Sequence, residues 1–210
     1  MNIEQKFVHN VYSQIYTEFN KSRYSVWNFV ENFLNDKSEL LGLDVGCGNG
    51  KNMIHENMIG IDMCKMFVSM CKDKHKNVLH ASCLQLPFAC NIFDYVISIS
   101  VIHHLSSIDR QVESINEIVR VLKPGGYGLI NVWSLENQSH SKRSFKHGDN
   151  FISWKTKQNK VFYRYYFVHD HRSISQIVHS IDNISDIVIK NEMGNWVVYF
   201  KKNDLKNLNI

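Results

Sequence analysis

Residues 41–50 of this 210-residue chain combine an acidic side chain with regularly spaced glycines. An apolar run leads to Asp44, and glycines then alternate at Gly46, Gly48 and Gly50. Because glycine has no Cβ, it lets the backbone take a positive φ angle and lets a ligand lie directly against it. The G-x-G-x-G spacing differs from the G-x-G-x-x-G of dinucleotide-binding proteins. The pattern therefore indicates a binding loop at a strand end, although a tight turn without a ligand would also fit.

The segments around this loop alternate between predicted strands and helices. Two amphipathic helices, over residues 3–19 and 26–34, come first. The strands that follow are Leu40–Asp44, Met58–Asp62, Val78–Ala81, Phe93–Ser98 and Tyr127–Trp133, with helices over Lys65–Lys74 and Ile108–Leu122. The later elements are a polar loop over 134–160, an aromatic segment Val161–Val168, a short helix Ser173–Ile181, and a hairpin of Ile187–Asn191 with Trp196–Lys201. This alternation predicts an α/β fold with a doubly wound, mostly parallel seven-stranded sheet and a C-terminal antiparallel hairpin.

Length and charge predict how this fold is organised. We expect a single domain over residues 1–202, with an N-terminal helical cap over 1–36 and a polar tail over 203–210. The cap either covers a ligand pocket or only caps the sheet. Between residues 140 and 172 the chain carries eight Lys or Arg and two acidic residues, whereas the whole chain has a formal charge of only +4. The basic segment 134–172 therefore indicates a surface that faces a polyanion, the alternative being a solvated loop with scattered lysines.

The cysteine spacing and the N-terminal residues indicate which metal sites and which cellular location to expect. The five cysteines form no C-x-x-C pair, which argues against a disulfide framework and a structural zinc site, so no metal ligands are predicted. The N-terminus lacks the pattern of a signal peptide. The longest apolar run, Tyr95–Ile102, is too short to span a bilayer. These features predict a cytoplasmic protein without a membrane partner.

Several chemistry-bearing side chains follow neighbouring strands. Asp44 and the glycines end the first strand and Asp62 ends the second, while residues 81–83 and 98–104 end the next two. The carboxyl ends of parallel strands form the ligand crevice of a doubly wound sheet. A carboxylate at Asp62 could accept both hydroxyls of a ribose, or it could be a solvated acid. Because no second nucleotide-binding half follows, these residues indicate a nucleoside cofactor without a pyrophosphate.

Longer stretches of the chain resemble one family. They are His9-Asn-Val-Tyr12, Arg23-Tyr24 with Trp27, Asp44-Val-Gly-Cys-Gly-Asn-Gly-Lys51, Met58-Ile-Gly-Ile-Asp62, Ile97-Ser-Ile-Ser-Val-Ile-His-His104, Glu117-Ile-Val-Arg-Val-Leu-Lys-Pro-Gly-Gly126, Leu129-Ile-Asn-Val-Trp-Ser-Leu-Glu136, Trp154 and Arg164-Tyr165-Tyr166. Over roughly residues 5–170 the chain resembles the Rossmann-like class I S-adenosylmethionine-dependent methyltransferases. More narrowly, it is similar to the tRNA wobble-uridine carboxymethyl methyltransferases, including the methyltransferase domain of the AlkB-like tRNA hydroxylase. The glycine loop is common to many methyltransferases, whereas the His-His stretch and the Trp-Ser-Leu-Glu strand end are much more specific to this narrower family.

The resemblance implies S-adenosyl-L-methionine as the cofactor. Its binding residues would be Asp44, Gly46, Cys47, Gly48, Asn49, Gly50, Asp62, Met63, Ser82, Cys83 and Ser98. The glycine loop would hold the methionine part, Asp62 the ribose, and Ser82 with Cys83 the adenine. The chain departs from the family at Ser82, where an aspartate is usual, in a shorter span between Trp154 and Tyr163, and at His169-Asp-His-Arg172.

The resemblance also implies the substrate, the carboxylate of 5-carboxymethyluridine at the wobble position of a tRNA. Carboxyl groups have pKa values near ~4, so this nucleophile is ionised at neutral pH and needs no general base. We expect His103, His104 and Arg164 as catalytic residues that orient the carboxylate. The substrate-binding residues would be His9, Tyr12, Arg23, Tyr24, Arg143, Trp154, Tyr165 and Tyr166. The plainer alternatives are histidines that pack beneath the cofactor and a buried aromatic strand over 163–167.

Two partners follow from the same resemblance. The basic segment would meet phosphates of the tRNA anticodon stem-loop, with the wobble base splayed out into the pocket. A small zinc-containing methyltransferase-activator subunit would bind along an exposed sheet edge or apolar patch. The rival interpretations are a small-molecule methyltransferase and a non-catalytic RNA-binding subunit with a methyltransferase fold.

Overall fold

The structure is a computed structural model that describes residues 2–136, 138 and 144–204. Its helices are α1 (Asn10–Lys21), α2 (Asn28–Leu34), α3 (Lys65–Asp73), α4 (Ile108–Val121) and α5 (His171–His179). Its strands are β1 (Gly42–Val45), β2 (Met58–Asp62), β3 (Val78–His80), β4 (Phe93–Ile99), β5 (Leu122–Trp133), β6 (Gly148–Lys155), β7 (Val161–Val168), β8 (Ile184–Glu192) and β9 (Asn195–Lys202). No helix within these ranges is long and apolar enough to cross a membrane.

Seven strands form one sheet in the order β3-β2-β1-β4-β5-β9-β8. The first five are parallel, whereas β9 runs antiparallel to β5 and pairs with β8 as a hairpin. The predicted α/β fold with its C-terminal antiparallel hairpin is confirmed. The strand order reverses between β1 and β4, which is the switch point where such sheets bind ligands.

Helices cover both faces of this sheet. Successive residues of β4 enter different hydrophobic clusters, because side chains of a strand alternate between its two faces. Val96 packs in the cluster that contains Ile115 of α4 and Ile174 of α5. Ile97 packs in the cluster that contains Phe29 of α2 and Val68 of α3. Coverage on both sides explains why the central strands read as continuous apolar runs.

The region after β5 differs from the expectation of a long loop. Residues 148–155 form β6, which pairs with β7 as a separate two-stranded antiparallel ribbon. Only alternate residues such as Asn150 and Ile152 are buried in β6, so the strand has few apolar positions for a hydrophobic pattern to reveal. Its partner β7 supplies the aromatic side chains, including the buried Tyr165 and Tyr166. The aromatic segment is therefore one half of a ribbon.

Two predicted boundaries also differ. The first helix begins as a π-helical turn, Gln5–His9, and then continues as α1. Strand β5 begins at Leu122 and includes the Lys-Pro-Gly-Gly stretch that was expected to be a turn before Tyr127. A proline at this place has no N–H to donate, and β5 pairs with β4 across it through an irregular register between Phe93 and Tyr95.

Glu4 anchors the N-terminal segment to α4. Its carboxylate is buried and accepts hydrogen bonds from the Arg110 guanidinium at 2.8 and 2.7 Å, and from the backbone and hydroxyl of Ser106 at 2.8 and 3.0 Å. Burial alone would raise the pKa of Glu4, but the hydrogen bonds from Arg110 and Ser106 outweigh it and hold the pKa below its usual range. The first residues are thereby fixed beside the histidine pair that follows β4.

Replacing Arg110 with alanine should lower the free energy of unfolding by about 2 kcal/mol, because the buried Glu4 carboxylate would lose its charged partner. The half-exposed Arg110 keeps this figure below that of a fully buried pair. Urea denaturation measures the difference. The matched control is Lys123→Ala, which breaks the more exposed ion pair with Asp94 and should cost less than about 1 kcal/mol. Equal effects of the two variants would contradict this role of Glu4.

Candidate active site

A deep pocket opens at the carboxyl ends of the central strands. The glycine loop and the end of β2 line one side of it, and the turn after β4 lines its floor. Residues of the π-helical turn and α1, including His9, Tyr12 and Phe19, cover it from above. The N-terminal segment therefore forms part of the wall of this pocket. On the far side, Arg164 and Tyr166 of β7 complete the wall.

The glycine loop is held by the carboxylate of Asp62. Gly46 and Gly48 have φ angles of +75° and +53°, which side chains with a Cβ rarely adopt. Asp62 accepts the backbone N–H of Gly48 at 2.8 Å with one oxygen and that of Cys64 at 2.7 Å with the other. Burial raises the pKa of Asp62, although these two hydrogen bonds oppose the shift. Each oxygen keeps a further lone pair for a ligand hydroxyl.

Two side chains of the loop bind the segment that follows α1. The Asn49 amide donates to the Asn20 side chain and to the Arg23 carbonyl, both at 2.8 Å. The Lys51 ammonium donates to the Ser25 carbonyl, also at 2.8 Å. The loop and its helical cover are therefore one connected unit, and a change in either would move the pocket wall.

Asp44 lies directly behind the loop and is fully buried. Neither of its carboxyl oxygens has a hydrogen-bond partner among the described residues. Burial, reinforced by the nearby Asp62, raises the pKa of Asp44 to about 8. The free chain therefore holds a largely neutral acid here at pH 7, and a cationic ligand group nearby would favour its ionised form.

His103, which lines the pocket, carries a buried hydrogen-bond donor. Its Nδ1 accepts the backbone N–H of Trp133 at 3.0 Å, so a neutral ring must carry its proton on Nε2. Burial lowers the pKa of His103 well below its usual range, and the positive charge of Arg164 acts in the same direction. The Nε2 atom is buried and has no hydrogen-bond partner among the described residues. A hydrogen-bond acceptor on a ligand would give this Nε2–H its missing partner.

His104 has the opposite tautomer. Its Nδ1 lies 2.7 Å from the Tyr165 carbonyl, which can only accept, so Nδ1 carries the proton. Its Nε2 then accepts the hydroxyl of Tyr12 at 3.0 Å. Burial lowers the pKa of His104 to about 3, and the Arg164 charge contributes to this shift. Both ring nitrogens of His104 are therefore hydrogen-bonded, and the ring orients the Tyr12 hydroxyl.

Arg164 is a buried cation. Its side chain is fully enclosed, with its guanidinium over the rings of Trp154 and Tyr166 at 4.9 and 5.2 Å from the ring centres. Among the described residues no carboxylate lies within salt-bridge distance of it, and its Nε atom has no partner. Burial disfavours the charge, but the Tyr166 and Tyr12 hydroxyls raise the pKa of Arg164 and keep it charged. A buried charge without a carboxylate partner would be stabilised further by a bound anion.

Many of the predicted site residues meet in this pocket. Those that line it are His9, Tyr12, Arg23, Gly46, Cys47, Gly48, Asn49, Asp62, Met63, Cys83, His103, His104, Arg164 and Tyr166. Asp44 is buried behind the loop, Gly50 is a buried residue of the loop itself, and Trp154 stacks on Arg164. Burial raises the pKa of Cys83 to about 11, so its thiol is protonated in the pocket wall.

Other predicted residues lie away from the pocket. Ser98 is fully buried inside the sheet, and Ile99, Ser100 and Val101 line the pocket in its place. Tyr24 is exposed, and the Ser82 hydroxyl accepts the backbone N–H of Leu84. The Tyr165 side chain points away from the pocket, where its hydroxyl donates a hydrogen bond to Asp149. Its backbone carbonyl contacts the site by accepting a hydrogen bond from His104 Nδ1. Arg143 lies outside the described residues.

Trp133 is a site residue that the sequence did not single out. Its indole stacks on Tyr166 at 3.9 Å between ring centres, and its backbone orients His103. It belongs to the Trp-Ser-Leu-Glu stretch of the family resemblance, which was a usable signal. Phe19 and Phe67 also line the pocket but have the spacing of ordinary core residues. The described residues contain no group of three or more acidic, Cys or His side chains that could hold a metal ion.

Comparison with known proteins places this site in a family. Residues 43–130 match the family described as "Methyltransferase domain". The tRNA (carboxymethyluridine(34)-5-O)-methyltransferase of Schizosaccharomyces pombe is 32% identical over 226 residues, which cover 95% of this chain and 98% of that protein. The chain belongs to this methyltransferase family.

The enzyme of the same name from Arabidopsis thaliana is 41% identical over 143 residues, which cover 66% of this chain and 35% of that longer relative. Among solved structures, the CcbJ methyltransferase from Streptomyces caelestis superposes with a TM-score of 0.72 at 10% identity. That likeness covers 95% of this chain and 99% of the other, and it concerns the fold.

The buried histidines predict a loss of stability in mild acid. His103, His104 and His169 stay neutral in the folded chain, with the pKa of His169 also lowered by burial to about 3. The unfolded chain binds protons at histidines near pH ~6.5, so it gains more protons than the folded chain as the pH falls. The free energy of unfolding should therefore decrease below pH ~6.5, by up to roughly 1.4 kcal/mol per pH unit for each histidine.

Nitrogen-15 NMR of histidine-labelled protein checks the same assignment directly. It should show His103 protonated on Nε2 and His104 on Nδ1, with both rings neutral at pH 6. Imidazolium signals from either residue at that pH, or exchanged tautomers, would contradict the assignment.

Proposed function

We propose that the chain transfers the methyl group of S-adenosyl-L-methionine to the carboxylate of 5-carboxymethyluridine at the wobble position of a tRNA, through one domain over residues 1–202. The observation that carries this proposal is the buried Arg164 cation, which lacks a carboxylate partner among the described residues. It lies in the same pocket as a glycine loop of the type that binds nucleosides. A methyl acceptor with a negative charge would neutralise Arg164, and a nucleoside cofactor beside it would occupy the glycine loop.

The residues of the loop fit this cofactor. A Cβ built on Gly48 would have open space around it, so the bare backbone here faces room for a ligand. The remaining lone pairs of Asp62 suit the two ribose hydroxyls, and Ala81 with Cys83 suits the flat adenine. The unpartnered oxygens of Asp44 suit the positive charges of the methionine part. When bound, the cofactor supplies an electrophilic methyl group on a sulfonium sulfur.

The substrate carboxylate fits the other half of the pocket. Arg164 supplies a charge, and His103 supplies an Nε2–H donor whose direction is fixed by Trp133. Together they hold one face of the carboxylate and leave a lone pair of one oxygen for the reaction. Because the carboxylate is already ionised, no side chain needs to remove a proton, and the two neutral histidines agree with this. The chain's contribution is in-line placement of nucleophile and methyl group.

Tyr12 and His104 act as positioning residues for Arg164. The Tyr12 hydroxyl donates its hydrogen bond to His104. The lone pairs of the Tyr12 oxygen therefore remain free to accept from the Arg164 guanidinium and the Tyr166 hydroxyl. The polarity of this chain of hydrogen bonds is set by the Tyr165 carbonyl. Arg164 is therefore held from one side while its other donors face the substrate.

The ribbon of β6 and β7 suits contact with the anticodon stem-loop. Its far end carries Lys155, Lys157 and Lys160, all exposed, and its buried edge carries Arg164. A phosphate backbone passing this end would place the splayed base in line with the pocket. Exposed apolar side chains beside the free edge of β3, Leu79 together with Met63 and Met66, suit the activator subunit.

The test is methyl transfer from labelled S-adenosyl-L-methionine to tRNA that carries 5-carboxymethyluridine, with and without the zinc-containing activator subunit. Nucleoside mass spectrometry should find a new methyl ester at the wobble position. Cofactor binding without transfer to any tRNA would favour a small-molecule acceptor. Absence of cofactor binding as well would favour the non-catalytic RNA-binding role.

Arg164→Met should reduce methyl transfer by about a hundredfold or more, because it removes a charge that holds the nucleophile. The affinity for S-adenosyl-L-methionine, measured by titration calorimetry, should stay unchanged. The melting temperature should stay equal or rise, since the variant replaces an uncompensated buried charge with an apolar side chain of similar length.

The matched control is Lys190→Ala, which removes an exposed positive charge from β8 and should leave transfer intact. Unaltered turnover of Arg164→Met would refute the proposed role. A fall in its melting temperature would instead assign Arg164 to the fold.

A further inference from the structure

Two of the five cysteines meet beneath the glycine loop. Cys47 lies within the loop and Cys71 lies on α3, and both side chains are buried. Both sulfur atoms approach the backbone carbonyl of Gly48, Cys71 at 3.3 Å and Cys47 at 3.9 Å. Because both sulfurs approach the same oxygen atom, the two thiols lie near each other. Cys64, Cys83 and Cys90 have other surroundings, so this pair is distinct among the cysteines.

We propose that Cys47 and Cys71 form a reversible disulfide when the chain meets a peroxide, and that this bond closes the cofactor site. The proposal rests on the proposed function, because the loop in question is the one assigned to the cofactor. Intracellular disulfides of this kind are typically transient and redox-sensing.

The surroundings give the two thiols different reactivities. The neighbouring Cys47 lowers the pKa of Cys71, and the ammonium groups of Lys74 and Lys76 act in the same direction. The pKa of Cys47 is raised well above its usual value by the neighbouring Cys71 and by burial. Cys71 is fully enclosed and does not line the pocket, so the peroxide meets Cys47 first, and Cys71 is the thiol that then attacks the oxidised Cys47. Cys47 lines the pocket, which gives a small oxidant its route to the pair.

The chemistry balances with hydrogen peroxide as the oxidant. The Cys47 sulfur attacks one peroxide oxygen, the O–O bond breaks, and a sulfenic acid and one water result after proton transfer. The Cys71 sulfur then attacks the Cys47 sulfur, the S–O bond breaks, and a second water leaves. Two thiols have lost two electrons and two protons, and one peroxide has become two waters. A dithiol reductant reverses the step by thiol–disulfide exchange.

The new bond would change the loop. A disulfide holds its sulfurs at about 2.05 Å, much closer than two thiols that are not bonded to each other. Cys71 would also lose the S–H that it donates to the Gly48 carbonyl. Since Gly48 donates its N–H to Asp62, a shift here moves both the loop and the carboxylate assigned to the ribose. Cofactor affinity should fall as a consequence.

The test uses the full chain, treated with hydrogen peroxide, blocked with N-ethylmaleimide and digested with trypsin without reduction. Residues 38–51 and 66–72 are tryptic peptides with a single cysteine each, Cys47 and Cys71, so a linked pair identifies the bond without ambiguity. Titration calorimetry with S-adenosyl-L-methionine should show at least a tenfold weaker affinity after oxidation and recovery with dithiothreitol. Cofactor bound beforehand should slow the linkage.

Cys71→Ser should keep its affinity after peroxide, since it cannot form the bond, whereas Cys90→Ser, a change of an exposed cysteine, should behave as the wild-type chain does. Full alkylation of both cysteines after peroxide would overturn the proposal, and the wild-type peptide map decides this even if a variant does not fold. A linked chain with unchanged affinity would overturn the regulatory step. Linkage in a chain that binds no cofactor when reduced would support the disulfide and refute the proposed function.

Discussion

A buried positive charge without a negative partner beside it is the main constraint on this pocket. Arg164 is enclosed by Trp154 and Tyr166, and the described residues supply it with no carboxylate. Aromatic faces stabilise a guanidinium only in part. The surrounding histidines are kept neutral by burial, so they add no further positive charge. The fold thus maintains a site whose electrostatic balance is completed by an anion, which the proposed substrate would bring.

The backbone sets the direction of each hydrogen bond in the site. The Trp133 N–H fixes one tautomer at His103, and the Tyr165 carbonyl fixes the other at His104. These two backbone groups belong to β5 and β7, which come from the sheet and from the separate ribbon. The helical cover contributes Tyr12, so three independent parts of the fold must meet before the donors point correctly. Glu4 and Asn49 hold that cover in place through Arg110 and Arg23.

The mostly parallel sheet and the glycine loop could be predicted because short buried strands and glycines leave strong local patterns. Asp62 and the two histidines followed from their places at strand ends. The tautomers of His103 and His104 could not be predicted, since they depend on backbone groups about 30 and 61 residues away in the chain. Strand β6 was missed because its burial comes from pairing with β7. Tyr165 was expected to bind the substrate, but its side chain lies outside the pocket lining, because residue type alone does not give the face of a strand.

The most direct test of the account compares the binding of two anticodon stem-loops that differ in one group. One carries 5-carboxymethyluridine, and the other carries the neutral isostere 5-carbamoylmethyluridine. The wild-type chain should bind the carboxylate form at least about tenfold more tightly, since hydrogen bonds to charged groups contribute roughly 1.5–3 kcal/mol. Arg164→Met should lose this preference while binding the amide form as before. Equal binding of both forms by the wild-type chain, or a preference that persists in the variant, would contradict the claim that Arg164 awaits the substrate carboxylate.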